Sequence, residues 1–143
     1  MSWTKGPWIA DTSAWARAVA KEVAPHWRRV VQAGDLIACA PVTMEMLYDA
    51  PDREAVERVA ASMAGFRQAA LNRSVTDTAI WAIRELAEHG AAGAHRVRVP
   101  DALIAAAAAE RGFGVLHYDH HFDTLATVLT FGSQWIAPPG SIP

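Results

Sequence analysis

Four acids stand where a fold could gather them. Asp11 closes the apolar run 7–10, Glu45 lies about one helical turn beyond the run 36–40, Asp101 heads an alanine-rich segment, and Asp119 follows the run 114–118. They are 34, 56 and 18 residues apart, so only tertiary folding can bring them together. Carboxylates converging in one cleft repel each other and cannot all stay ionised cheaply. A bound divalent cation removes that conflict. Oxygen donors, with Cys39 as the single cysteine, point to a hard ion, Mg2+ or Mn2+. The chemistry that follows is metal-assisted hydrolysis of a phosphodiester, in which one ion polarises the phosphoryl oxygen and activates water and a second can stabilise the leaving oxygen. Taken singly, each acid has a plainer role. Asp11 and Asp101 suit helix caps, Glu45 a solvated helix face, and Asp119 a turn. Their joint placement at strand ends favours a site.

The elements that must position these acids are legible from pattern. Short apolar runs at 7–10, 36–40, 114–118 and 134–136 read as buried strands. Between them, 14–33 is helical in pattern, interrupted near Pro25 and stopped by Gly34. Further helices are expected over 41–48, 52–66, 75–89, 100–112 and 121–128, with a basic loop at 93–99. Short strands alternating with helices imply a parallel sheet covered on both faces, with ligands gathering beyond the carboxyl ends of the strands.

The chain has 143 residues, 52% of them hydrophobic and 20% charged, a composition that predicts one globular domain spanning 1–143. A net charge of −2 argues against coating nucleic acid by charge alone but leaves room for a local basic rim. One cysteine excludes an intrachain disulfide and a thiolate cluster, and a reducing cytoplasm is the expected location. The start of the chain does not read as a leader peptide, and no apolar run approaches the roughly 20 residues of a membrane span.

The motifs around the four acids resemble, in order, those of PIN-domain nucleases. Ile9-Ala10-Asp11-Thr12-Ser13-Ala14 is similar to the opening motif, Pro41 to Tyr48 with Glu45 to the second, Val99 to Ala106 with Asp101 to the third, and Val115 to Ala126 with Asp119 to the fourth. The ending Trp135-Ile136-Ala137-Pro138 resembles the tails of VapC-type toxins. The resemblance implies a three-layer α/β/α PIN-like domain around a mostly parallel sheet of four to five short strands. It implies an Mg2+- or Mn2+-dependent endoribonuclease, the toxin of a VapBC-type toxin–antitoxin module, with an RNA substrate, a VapB-type antitoxin and a homodimeric assembly. By the same resemblance Asp11, Glu45, Asp101 and Asp119 are the catalytic and metal-binding quartet, and Ser13 is the small hydroxyl beside the first acid. The chain departs from the family at His121, where many relatives carry a second acid, and Asp123 is an acid out of register.

Other residues have more than one reading each. His121 is a ligand, a phosphate contact or a polar helix start; His120 reads as solvated and His117 as strand packing. Arg17, Arg96 and Arg98 are candidates for RNA phosphates, against the commoner fate of a surface charge. Trp15 has three readings: stacking a base, packing in a dimer or antitoxin groove, and packing in the core. Rival folds lack their residues. A phosphatase with an Asp nucleophile would need an acid where Ser13 stands, and both it and a phosphorelay receiver would need a late lysine, whereas the lysines are Lys5 and Lys21. A dinucleotide fold would need glycines between Asp11 and Trp15. Two alternatives remain open: a PIN nuclease of RNA maturation, and a PIN-like binding module without catalysis.

Overall fold

The apolar runs are too short for helices, and they pair instead as strands. In this computed structural model, which describes residues 3–143, the strands are β1 (Trp8–Ala10), β2 (Leu36–Cys39), β3 (Arg67–Ala69), β4 (Gly114–His117) and β5 (Gly132–Trp135). Met1 and Ser2, part of the N-terminal stretch considered above, lie outside the described residues. Every residue of β1 and β2 is buried, which is why these strands are apolar without alternation. The sheet order is β3-β2-β1-β4-β5, and each neighbouring pair is parallel. Strand β3 is absent from the pattern reading. Arg67 and Gln68 are exposed, and the strand exists only because this edge segment pairs with Ile37 to Cys39 of β2. The last strand starts at Gly132 rather than at 134, since its register runs from Gly114 opposite Gly132 to His117 opposite Trp135.

The helices are α1 (Thr12–Trp15), α2 (Ala24–Gln32), α3 (Ala40–Asp49), α4 (Arg53–Ala64), α5 (Arg73–His89), α6 (Val99–Arg111) and α7 (His120–Leu125). The expected helix over 14–33 is corrected: one turn of α1 is followed by irregular turns, and α2 begins at Ala24. Pro25 falls in the first turn of α2, where its missing N–H leaves no hydrogen bond unmade, so it starts a helix rather than interrupting one. Likewise α7 ends at Leu125 instead of 128, and turns follow. No helix among the described residues is long and apolar enough to cross a membrane.

Three layers follow from the alternation along the central strands. Ile9 and Val115 face a core shared with α5 and α6, while Trp8, Ala10 and Leu116 face one shared with Val23 and Trp27. Helix α6 is enclosed on all sides. Ala105, Ala106, Ala107 and Ala108 are consecutive and fully buried, and successive helical residues are about 100° apart, so these four sweep most of the circumference. Methyl-sized side chains let the sheet and α5 approach closely, and Gly112 ends the helix in the left-handed conformation at φ 69°. The hydroxyls of Ser74 and Thr78 both donate to Glu110 Oε1, at 2.9 and 2.7 Å, joining the start of α5 to the end of α6. Because α6 feeds the start of β4, its own first turn lies at the carboxyl edge of the sheet.

The chain steps from β1 outward to β2 and β3, then returns to place β4 on the other side of β1. The seam between β1 and β4 is therefore the switch point where a crevice opens. Gly114 allows this seam to close over Trp8, since a Cβ added there would fall inside the Trp8 indole and 3.1 Å from the Gly132 carbonyl. Gly114→Ala is expected to cost about 1–3 kcal/mol of stability through overpacking, read as a lower urea midpoint at unchanged slope. An unchanged midpoint would contradict this packing.

Candidate metal centre and active site

Asp11 is fixed by the seam itself. Its backbone N–H donates to the Leu116 carbonyl at 2.9 Å, extending the β1/β4 pairing by one residue. Its Oδ2 accepts from the Ser13 N–H at 3.1 Å and from the Ser13 hydroxyl at 2.6 Å. The same hydroxyl oxygen accepts from the Tyr118 N–H at 3.0 Å, so Ser13 clamps the ends of β1 and β4 together. Asp101 sits in the first turn of α6. The side chains of Asp11 and Asp101 are buried, at 1% and 0% exposure, and each keeps one carboxylate oxygen, Oδ1, with no hydrogen-bond partner.

Asp119 caps α7, with Oδ1 accepting from the His121 N–H at 2.9 Å. His121 Nδ1 then lies 3.1 Å from Asp101 Oδ2 and 3.8 Å from Asp119 Oδ1. One ligand atom each from Asp101, Asp119 and His121 falls within 4.8 Å of the others. Glu45, half-buried on α3, pairs with Arg98 through Oε1 and Nη2 at 3.0 Å. The structure thus gathers Asp101, Asp119 and His121, with Asp11 near enough for its charge to act on Asp101 and with Glu45 engaged by an arginine.

Burial dominates the electrostatics. It raises Asp11 above the usual carboxylate range, against the pull of its Ser13 hydrogen bonds, and the charge of Glu45 adds to the rise. Asp101 is pushed up to about 7, first by burial and then by the charge of Asp11, while its hydrogen bond with His121 acts the other way. Two buried carboxyls that disfavour each other's charge, each with an unsatisfied oxygen and with an imidazole alongside, fit a divalent cation. Cys39 is buried, which raises its thiol to about 11, and it is not among the clustered ligand atoms of the described residues.

The remaining candidates divide by what already holds them. Arg17 donates to the Ser13 carbonyl at 2.9 Å and the Pro143 carbonyl at 2.8 Å, and lies over the Tyr118 ring at 4.5 Å, so its donors serve the fold. Arg98 serves Glu45. Arg96 is exposed and lines an open cavity of about 560 Å³ that His121, Thr124 and Thr127 also line. Trp15 packs edge-on against Trp27 and Phe66, at 4.9 and 5.7 Å. His120 is exposed against Trp135, and Asp123 is taken up by Ser133 Oγ at 3.0 Å and Trp135 Nε1 at 2.9 Å.

His117 does more than pack. It is fully buried, and burial lowers it to about 4, so the ring is neutral. Its Nδ1 accepts from the Asp119 N–H at 3.3 Å, and Nε2 lies 2.7 Å from the Ser133 hydroxyl. A path of hydrogen bonds therefore runs from Asp123 through Ser133 and His117 to the backbone of Asp119. Sequence reasoning missed this positioning role. Its signal was a polar residue at an inward position of a strand.

Comparison with known proteins places this fold. The family model of the PIN domain matches residues 9–128. Ribonuclease VapC18 of Mycobacterium tuberculosis is 35% identical over 92% of this chain and 96% of its own length. Ribonuclease VapC51 of the same organism is 32% identical over 94% and 96%. Among solved structures, a DNA-bound VapBC from Salmonella typhimurium has a chain of the same fold, with a TM-score of 0.68 at 18% identity over 91% of this chain and 98% of that one. A VapBC2 from Rickettsia felis, bound to a promoter DNA fragment, gives 0.66 at 13% identity over 85% and 95%.

The buried acids make stability depend on pH. Between its ordinary value of 3.8 and its folded value of about 7, Asp101 holds a proton in the folded chain that the unfolded chain has released. Its contribution to stability is therefore full below pH 3.8 and lost as pH rises through about 7. His117 acts in the opposite direction, its contribution being lost as pH falls from 6.5 through about 4, so the test is a difference. In the cation-free chain, the urea midpoint of wild type relative to Asp101→Asn is expected to fall between pH 5 and pH 7.5, and added Mn2+ to reverse the fall. A difference independent of pH would contradict the assignment.

Proposed function

We propose that this chain, which belongs to the PIN domain family and, within it, to the VapC ribonucleases, is a metal-dependent endoribonuclease toxin hydrolysing RNA phosphodiester bonds. The observation that carries the reading is the buried pair Asp11 and Asp101, each with an unsatisfied oxygen, at the switch point of a parallel sheet. A merely structural role gives no reason to bury two such carboxylates together, because an unpaired buried charge costs several kcal/mol.

Asp11 and Asp101 hold the cation from the buried side, and Asp119 and His121 from the open side. Mg2+ or Mn2+, when bound, supplies the positive charge that polarises the scissile phosphate and lowers the pKa of a water. Ser13 keeps Asp11 turned toward the site and binds the two strand ends together. Glu45, oriented by Arg98, stands at the rim, where its carboxylate can take up the proton that the attacking water loses. Arg96 and Arg98 offer the local positive charge that a chain of net charge −2 needs to approach a phosphate backbone.

The partner in this reading is a VapB-type antitoxin, supported by the VapBC complexes among the structural neighbours. It is also supported by an open, mainly apolar cleft of about 510 Å³ beside the site, lined by Met44, Tyr48, Val99 and Leu103 with Glu45 and Arg98. Exposed Ile80 and Trp81 offer further apolar surface for a homodimer. The cytoplasm, where RNA is available, is the compartment in which this chemistry would arrest growth.

Asp101→Asn is expected to slow RNA cleavage more than about 100-fold, as loss of a direct ligand, and Ser13→Ala about 10–100-fold, as loss of an orienting hydrogen bond. The check is the rate of appearance of new 5′ ends on a defined RNA with Mn2+ or Mg2+. Cleavage by Asp101→Asn at the wild-type rate and sites would sink the proposal.

A further inference from the structure

We propose that His121 gives a ring nitrogen to the cation, and that this mixed nitrogen–oxygen site therefore takes Mn2+ and the later first-row divalent ions in preference to Mg2+. The inference rests on the metal-dependent reading above and narrows which ion that reading means.

The geometry around one nitrogen carries it. The Arg98 backbone N–H points at His121 Nδ1 from 3.3 Å, a contact that requires a lone pair on that nitrogen. Asp101 Oδ2 and Asp119 Oδ1, both lone-pair atoms, face the same nitrogen at 3.1 and 3.8 Å. With Nδ1 accepting from Arg98, the three atoms turn lone pairs toward one another, and positive charge joins them either as a proton, in the Asp101–His121 hydrogen bond, or as a metal ion. A proton can join only one pair of them. A metal ion can join all three, and neighbouring ligands of an ion with bonds of about 2.1 Å stand about 3 Å apart. The buried, unsatisfied Oδ1 atoms of Asp11 and Asp101 complete the requirement.

The ring is held where this demands. His121 lies in the first turn of α7, its N–H is fixed by Asp119 Oδ1 at 2.9 Å, and its side chain is about one-third exposed, at 34%. By contrast, the trio Glu85, Glu88 and His89 also brings ligand atoms together but lies along the surface of one helix, with no orphaned buried oxygen behind it.

The consequence for selectivity is chemical. Mg2+ binds through hard oxygens and gives up its waters reluctantly, so its affinity follows carboxylate charge. Imidazole brings no charge, and its bond strengthens along the series from Mn2+ to Cu2+. Relative to an all-carboxylate set, the nitrogen weakens Mg2+ more than Mn2+.

The test uses the whole chain, stripped by a chelator and titrated with MnCl2 and MgCl2 by calorimetry, with bound Mn2+ examined by electron spin-echo modulation. Wild type is expected to show 14N coupling to Mn2+. His121→Asp is expected to bind Mn2+ without that coupling and to lose about tenfold or more of the preference for Mn2+ over Mg2+. Should His121→Asp fail to fold, the wild-type spectrum alone decides. Bound Mn2+ with no nitrogen coupling, or an unchanged preference in His121→Asp, overturns the ligand role and leaves the nuclease proposal standing. Failure of the wild-type chain to bind either ion overturns both.

Discussion

Two buried carboxylates close enough to feel each other's charge are the constraint on which the rest of this structure depends. Asp11 and Asp101 come from different layers, one at the end of the central strand and one in the first turn of the enclosed helix. Charge on either raises the free energy of the pair, and solvent cannot screen it. Without a cation the chain answers by keeping a proton on Asp101, whose pKa is lifted to about 7. In the proposed function, a cation takes the place of that proton and the same oxygens are its ligands. The fold must be stable enough to hold this unfavourable arrangement, as local rules are commonly broken at functional sites and offset elsewhere.

The scaffold meets that demand by fixing backbone first and side chains second. Parallel pairing between β1 and β4 sets the separation of Asp11 and Asp119, and the Ser13 hydroxyl locks their strand ends. The alanine-rich middle of α6 lets its first turn, and so Asp101, reach the same seam. Around this centre each polar group has a named partner, and Ser133 links two of them. His117 orients Asp119, Asp123 anchors β5, Arg98 holds Glu45, and Arg17 ties down the end of the described chain.

Much of this was legible because the acids lie next to apolar runs. A strand buried on both faces leaves an unambiguous run, and an acid immediately after it falls at the carboxyl edge whatever the details. Strand β3 escaped because its character comes from pairing with β2 and not from Arg67 and Gln68 themselves. The break after Trp15 escaped because the composition of the following residues remains helical, and only tertiary packing of Trp15 on Trp27 and Phe66 shows where the chain turns. Arginine roles were the least legible. Arg17, Arg96 and Arg98 are equivalent as letters, and only contacts far apart in sequence separate the two that brace the site from the one left exposed beside it. The same holds for His121, whose neighbours in space come from residues 98, 101 and 119.

The most direct measurement of the central claim is anomalous diffraction from a crystal of this chain soaked in Mn2+. The account predicts a manganese peak at the β1/β4 seam, within bonding distance of Asp11, Asp101 and Asp119 oxygens and of a His121 ring nitrogen. A seam without density at full soaking, or a peak at the surface trio on α5 instead, would contradict it.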